Sequence, residues 1–566
     1  MNSQHYEALV DAVLGNTQYT RKRREGSISR PTCQHGVNDS EYPNTIATSQ
    51  ISKSVNFDMT AAGELETRGG SQLLTDTAAA STGEFPHEHQ FVVRASDGTL
   101  TRTRMLKSGT VLYKYNTSTG VFDSVRTSLS TARPSMVNFV SSTGADIMLY
   151  ADGSNFLMYD GTSFTDILSN FTAGNATSAP TCLLVKHNVV FAAGVKEDPD
   201  VLFWCDPNSP NTDWPTQGFA IIAGGVDKIS GIGEIYDYVV VTALNSIHLL
   251  TGRTSATFAF FQVNGNNGCS SHWSIISQGG YIYFANASGF HIGRLRIAES
   301  DGMEVDYIGG NMQITYNNIT AGFWDNIVGA YHDDKKQIYW TVKTAGATQP
   351  DRLFVYSAVQ SSPASPPSQF GPDIRYVWAG YYEGLDFNSV IVHQDADGKD
   401  FLSVANASGQ VYTMHTGFKD KRAVGVDTGT NIAYEIRPRE ETFGRVGDTV
   451  RVVAFFPTMY QKHNSGFSVQ FLVNRSVLYP ASAVTITFSG NIPYWHDGTD
   501  ARITSEWDGT VWADKSVLSA KIGLKKKCYS IIPIITSDGS NAQEEGTWIG
   551  YGMTYQRMPQ SQGRAV

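Results

Sequence analysis

Two imidazoles flank one carboxylate at His87-Glu88-His89. On a strand, alternate residues point to the same side, so the two rings would offer a pair of nitrogen ligands to a metal such as zinc. A site needs further ligands, and no His or carboxylate cluster accompanies them nearby in the sequence, so the segment reads as a polar loop. Asp395-Ala396-Asp397-Gly398-Lys399-Asp400 starts like a calcium loop, with Asp395, Asp397 and Asp400 as oxygen ligands and Gly398 for the turn. The bidentate Glu expected near the twelfth position is missing, which favours a solvated hairpin turn and leaves calcium as a testable remainder. The chain carries no Gly-x-x-x-x-Gly-Lys-Ser/Thr loop, no Gly-x-Ser-x-Gly elbow and no His-Glu-x-x-His pair. No catalytic residue and no cofactor is therefore expected, and the chain reads as a non-enzyme.

Other clusters have plainer accounts. Ser505-Glu506-Trp507-Asp508-Gly509-Thr510-Val511-Trp512 looks like the Asp-box turn of sialidases, which is itself a structural turn. A sialidase would also need an arginine cluster and a Tyr/Glu nucleophile pair, and nothing in the sequence identifies such a set. The basic runs Arg21-Lys22-Arg23-Arg24 and Lys525-Lys526-Lys527 are too short for a nucleic-acid platform and read as solvated charge or partner-docking patches. The 43 Lys and Arg against 53 Asp and Glu, a net charge of −10, argue against a basic surface that grips nucleic acid. The same balance suits a protein past which nucleic acid slides, because like charge repels phosphate. The longest apolar stretches fall short of a membrane span and the N-terminus lacks an apolar signal core, so a soluble chain made in a cytosol is expected. Five scattered cysteines, Cys33, Cys182, Cys205, Cys269 and Cys528, suit neither a disulfide framework nor a zinc ribbon.

The elements that must position these residues are β-strands. Ala-Asn-Ala-Ser-Gly occurs at 285–289 and again at 405–409, each time between an apolar aromatic run and a second β-like run. Asn and Gly tolerate positive φ, so both copies read as hairpin turns. Looser versions recur at Val92 to Gly98, Met148 to Tyr159, Val189 to Trp204, Tyr238 to Leu250 and Gln337 to Tyr356. Seven units between about residues 85 and 430 give roughly 50 residues each, the period of four-stranded propeller blades. The expected architecture is all-β: a β-propeller of about seven blades over residues 51–430, then a β-sandwich-like C-terminal region over 431–566. Residues 1–50 read as a short helix at 3–14, with Tyr6, Val10, Val13 and Leu14 on one face, followed by an arm that is either extended or disordered. Pro- and Ser-rich excursions at 206–215 and 361–368 read as long loops of the kind that carry partner contacts.

Two segments carry a family resemblance. Ser54-Val55-Asn56-Phe57-Asp58-Met59, followed by Gly63-Glu64-Leu65-Glu66-Thr67-Arg68-Gly69-Gly70, resembles the entry segment of tail hub and nozzle proteins of short-tailed bacteriophages, often labelled packaged-DNA stabilisation proteins. Leu249-Leu250-Thr251-Gly252-Arg253, Phe260-Phe261-Gln262-Val263 and Gly268-Cys269-Ser270-Ser271-His272-Trp273-Ser274-Ile275, ending in Gly279-Gly280-Tyr281-Ile282-Tyr283-Phe284, is similar to their mid-propeller signature. The resemblance implies a virion structural protein made in the host bacterial cytoplasm. It would form a ring of six copies below the portal and adaptor, as part of the tail. DNA would pass through the lumen between subunits without sequence-specific binding, and tail fibres, spikes, a needle or a plug would be neighbours. The alternative is a carbohydrate-binding or glycoside-cleaving propeller that recognises the host surface, motivated by Trp495, Trp507 and Trp512, since exposed aromatic faces stack on sugars.

Overall fold

The computed structural model describes residues 25–558 except 32, 174–177, 211–213, 216–217, 223–226, 265, 296–301, 364–374, 418, 427–428, 444–448, 462–465, 488–516, 520 and 538–545. The helix expected at 3–14, the Arg21–Arg24 run, the Asp-box-like turn and Trp495, Trp507 and Trp512 all lie outside the described residues. What is described is all-β, with α-helix confined to two short pieces, Leu168–Ala173 and Gln313–Asn317.

Seven antiparallel four-stranded meanders follow one another, here called sheets 1 to 7. Sheets 1 to 5 span residues 87–126, 135–166, 182–221, 229–264 and 276–307, and sheet 6 starts with the four strands of 329–382. Successive sheets begin roughly 50 residues apart, the spacing read from the sequence. Sheet 7 takes three strands from residues 389–414 and its fourth, Ser71–Leu73, from ahead of sheet 1, with Leu73 opposite Tyr412. The first strand of each sheet lies beside the first strand of the next, and that of sheet 7 lies beside that of sheet 1.

Sheet-on-sheet packing explains the residue choice. In sheets 2 to 7 the second strand is covered on both faces, so Val189–Ala193 is buried throughout and reads as a continuous apolar run rather than an alternating one, and Gln337–Val342 is buried throughout as well. Between sheets 5 and 6 the Phe290 ring lies 4.6 Å from Trp340, 5.3 Å from Trp378 and 5.8 Å from Phe354, centroid to centroid. Such offset aromatic contacts add about 0.5–1.5 kcal/mol each beyond the area they bury.

Both copies of the repeated pentapeptide are hairpins joining the second and third strands of their sheets, 5 and 7. Each uses its Asn carboxamide oxygen to hold the turn. Asn286 Oδ1 accepts the N–H of Ser288 at 2.9 Å, and Asn406 Oδ1 accepts those of Ser408 at 3.1 Å and Gln410 at 3.0 Å. The turns differ in length: the first pairs Asn286 with Gly289, whereas the second closes Asn406 onto Gln410.

The C-terminal strands build two further layers. One contains Val450–Gln461 between Gly546–Arg557 and the strands Val517–Ser519 and Ile522–Cys528, and the other contains Gly466–Val473 between Val477–Thr487 and Ser530–Ser537. Their apolar faces meet, with the Phe455 and Phe471 rings edge to face at 5.2 Å, which is the geometry of packed β-layers. The second layer continues through Glu435–Pro438 and Ile51–Val55 into the last strand of sheet 6 by a parallel bridge between Val55 and Tyr381.

One sequence expectation is corrected and two are made specific. The segment expected as an arm is structured where it is described: Glu25–Pro31 pairs along Gly546–Arg557, and Cys33, Val37 and Ile46 are buried. His87–Arg94 is a strand paired with Leu100–Ser108, not a polar loop, because it is packed from both sides, with Glu88 buried on one face and Phe91 on the other. The described part of the 206–215 excursion is a loop between strands, as expected, and it is anchored by Trp214, which is buried and donates its Nε1–H to the Pro210 carbonyl at 2.7 Å.

Candidate functional site

The segment from Ser54 to Gly70 forms a buried polar site at the joint between the seven sheets and the C-terminal layers. Arg68 is fully buried, and all five of its N–H groups are used. Nε donates to Asn56 Oδ1 at 2.8 Å, Nη1 to Asp420 Oδ1 at 2.9 Å and the Gly69 carbonyl at 3.1 Å, and Nη2 to Asp420 Oδ2 at 2.5 Å and the Glu383 carbonyl at 3.0 Å. Asp420 also accepts Ser71 Oγ–H at 2.9 Å, and the guanidinium sits 5.3 Å from the Tyr382 ring centroid. Burial alone would lower the Arg68 pKa, but the Asp420 carboxylate overcomes it and the net shift is upward. Only a fork-shaped cation with this full complement of acceptors tolerates such burial.

Asn56 couples the pieces. It takes the left-handed backbone that Asn accepts, φ 63°, and its Nδ2 donates to the Ala433 carbonyl at 2.6 Å while its Oδ1 also accepts Glu383 N–H at 2.9 Å. Asp58 follows on the next strand, where it binds Lys335 Nζ at 2.5 Å and accepts the Tyr382 hydroxyl. Burial pushes the Asp58 carboxyl up, but the Lys335 charge and the Tyr382 hydrogen bond reverse this and hold it at about 2. His415, 3.6 Å from Asp58, is itself driven well below its ordinary range by burial and by Lys335, so Lys335 is the cation that acts at neutral pH.

A second buried cluster joins sheet 1 to sheet 7. Glu88 accepts Ser403 Oγ–H at 2.8 Å and His393 Nε2–H at 3.1 Å, with Ser403 and His393 without exposed surface. Ser, His and a carboxylate are the residue types of a hydrolase triad, but here the hydroxyl bonds to the carboxylate and not to the imidazole, and all three side chains are buried. These residues fasten two sheets.

His87 and His89 share the opposite side of that strand, as their spacing requires. They are partly exposed, and His89 Nε2 lies 3.0 Å from Asn138 Oδ1 in sheet 2. Burial pushes the His89 ring down to about 4 despite that hydrogen bond. Among the described residues no group of three or more His, Cys, Asp or Glu side chains is arranged to hold a metal ion. In the calcium-like segment Asp395 Oδ1 caps its own turn, accepting the N–H groups of Asp397 and Lys399 at 2.9 Å each. Asp400 faces away from them and accepts Asp333 N–H at 2.9 Å and Gln394 Nε2–H at 3.2 Å. The carboxylates of Asp395 and Asp400 are thus committed to protein donors. Of the C-terminal basic run, Lys525 and Lys527 are exposed, whereas Lys526 lies 4.5 Å over the Tyr479 ring.

An open cleft of 770 Å³ is lined by Asp39, Tyr42, Lys53, Ile314, Tyr381 and Arg437 among others. Its charges are paired within the wall: Lys53 binds Glu435 at 2.6 Å, Arg437 binds the same carboxylate, and Asp39 accepts Thr315 N–H at 2.8 Å. Glu41, also in the wall, accepts only Asn38 Nδ2–H at 3.4 Å among the described residues. The sequence pointed to Asn56, Asp58 and Arg68 through the resemblance, but it gave no sign of their partners Asp420, Lys335 and Tyr382, which lie hundreds of residues away.

No protein-family model matches the chain, and no curated protein matches it. Among solved structures it is similar to one titled as a crystal structure of the mitotic checkpoint complex, at 11% identity and a TM-score of 0.34 over 61% of this chain and 95% of that one. It is also similar to a fungal alcohol oxidase in complex with copper, at 10% identity and a TM-score of 0.35 over 84% of this chain and 91% of that one. Neither likeness bears on function.

Proposed function

We propose that the chain is a structural protein of a bacteriophage tail, a hub or nozzle subunit below the portal and adaptor, and that its seven sheets are the blades of a propeller. The observation that carries this reading is where the family-like segment goes. Asn56, Asp58 and Arg68 spend their polar groups tying the sheets to the C-terminal layers, which is what a wall element under load requires and what a reaction site does not. The propeller is supported by the order of the first strands, which returns from sheet 7 to sheet 1, and by Ser71–Leu73 completing sheet 7 from the N-terminal side. Rigid blades with covered edges suit a subunit that closes into a ring by head-to-tail contacts.

An exposed apolar patch supports assembly. Tyr42 is 74% exposed and Tyr529 46%, both close to Arg475, which binds Glu440 at 2.7 Å, and Val477, 50% exposed, follows two residues after that arginine. Tyr, Arg and aliphatic side chains together are the composition of interface centres. In this reading the subunit is no enzyme, DNA passes between subunits, and the acidic balance limits sticking to phosphate. The test is electron microscopy of the purified protein alone and with portal and adaptor. Six-fold rings or co-sedimentation with the connector are expected. Persistent monomers under both conditions, with binding or cleavage of host polysaccharide, would overturn the reading.

A further inference from the structure

Arg68 shows how this chain treats a buried guanidinium, and Arg133 departs from it. Arg133 is 3% exposed, yet among its nitrogens only Nη2 has a protein partner, the Asn388 carbonyl at 3.0 Å. Its Nε and Nη1 have none, and among the described residues no other arginine has two buried nitrogens without a partner. Its Cζ lies 5.6 Å from the ring centroids of Phe85 and of Trp273, so it sits where the first strands of sheets 1, 2, 5 and 7 begin.

The surroundings add positive charge and withhold the balancing negative charge. Lys107 is fully buried, and its Nζ donates to the Ala132 carbonyl at 2.5 Å. Neither cation forms an ion pair among the described residues. The carboxylates that act on them from further off are Glu84, which is exposed, on Arg133, and Asp152, which already accepts Tyr150 O–H at 2.9 Å and Ser130 N–H at 3.0 Å, on Lys107. His87 stands close enough for its ring to feel Arg133, His272 and Lys107, and its Nδ1 is also buried without a partner. His272 is wall rather than ligand, since its Nε2 lies 3.2 Å from Ser135 Oγ and its Nδ1 accepts Ile232 N–H at 3.3 Å. His87 and His272 each keep part of their surface accessible.

A buried cation without a counter-charge is among the most costly arrangements in a protein, and an unpaired buried donor calls for an occupant. We propose that Arg133 Nε and Nη1 and His87 Nδ1 together bind a small oxyanion of the phosphate or sulfate class, with Lys107 supplying further positive charge. Flat guanidinium edges and neutral imidazole N–H groups are suited to phosphate oxygens.

The test uses the full chain exchanged into chloride buffer free of phosphate and sulfate, titrated with inorganic phosphate against sodium chloride of equal ionic strength. A saturable rise in Tm and a saturable heat with phosphate but not chloride are expected. Arg133→Gln should abolish both while circular dichroism stays unchanged, and His87→Leu should weaken the affinity about tenfold, the loss of one charge-assisted hydrogen bond. If Arg133→Gln fails to fold, His87→Leu and an anomalous selenate peak beside Arg133 in crystals decide the matter. Absence of any phosphate-specific effect in the parent chain, or equal binding in both variants, would overturn the proposal and assign the position to ordered water.

Discussion

At the scale of single residues the Arg68–Asp420 pair dominates. Removing one partner strands a buried charge, so Arg68→Met is expected to cost about 3–5 kcal/mol and to lower the calorimetric Tm sharply, whereas exposed pairs such as Arg253–Asp237 should contribute little. Asp58 sets an acid limit. Its carboxyl is held at about 2, below the ordinary value near 3.9, so its stabilisation is complete above pH ~4 and is lost as pH falls towards 2. The imidazoles act in a higher window. Burial pushes His89, His272 and His291 down to about 4, so the unfolded chain binds more protons between pH ~6.5 and 4 and stability falls as pH drops through that range. A Tm profile against pH should show both slopes, and Asp58→Asn should flatten the lower one alone. Calcium titration should give no heat at the Asp395 turn, because backbone N–H groups already occupy Asp395 Oδ1.

At the scale of elements, the strand Ser71–Leu73 matters more than its three residues suggest. It covers the edge of sheet 7 and is held there by the Ser71 hydroxyl on Asp420. A chain beginning at residue 75 would bare that edge and lose Arg68 as well, and it is expected to aggregate on expression, as light scattering would register. The approach of residues 33–38 to sheet 6 is just as tight. Gly36 has φ +62°, and a Cβ there would lie 2.2 Å from the Trp378 carbonyl oxygen, so Gly36→Ala should destabilise by more than the ~1 kcal/mol usual for a strained backbone. Chemical denaturation of this variant, followed by Trp fluorescence, checks it.

At the scale of the whole molecule, the proposed role rests on assembly, so the informative variants lie on the surface. Tyr42→Glu combined with Tyr529→Glu puts charge into the exposed patch around Arg475 without touching the core. Ring formation or connector binding should weaken at least tenfold in sedimentation, as loss of an interface anchor does, while the Tm stays within ordinary surface-mutation limits. Unchanged assembly would move the contact surface elsewhere, with the exposed Lys525 and Lys527 next to be tested.

The sequence by itself determined the strands and their rhythm. Six of the seven units read from it fall on the second and third strands of sheets 2 to 7, where cover on both faces demands unbroken apolar runs and the turns need Asn or Gly. The seventh, at Val92 to Gly98, falls on the first hairpin of sheet 1, because the second strand there, Leu100–Ser108, begins with alternating polar residues and hides the pattern. Periodicity and turn chemistry are short-range properties, so they are legible along the chain. Contacts across hundreds of residues are not. Only the tertiary structure decided that Arg68 meets Asp420, 352 positions away, that Ser71–Leu73 finishes sheet 7, and that Glu88 turns inward to fasten two sheets while Arg133 is buried without a counter-charge. A charged side chain carries no local sign of its partner, and its meaning appears only when burial fixes what it must face.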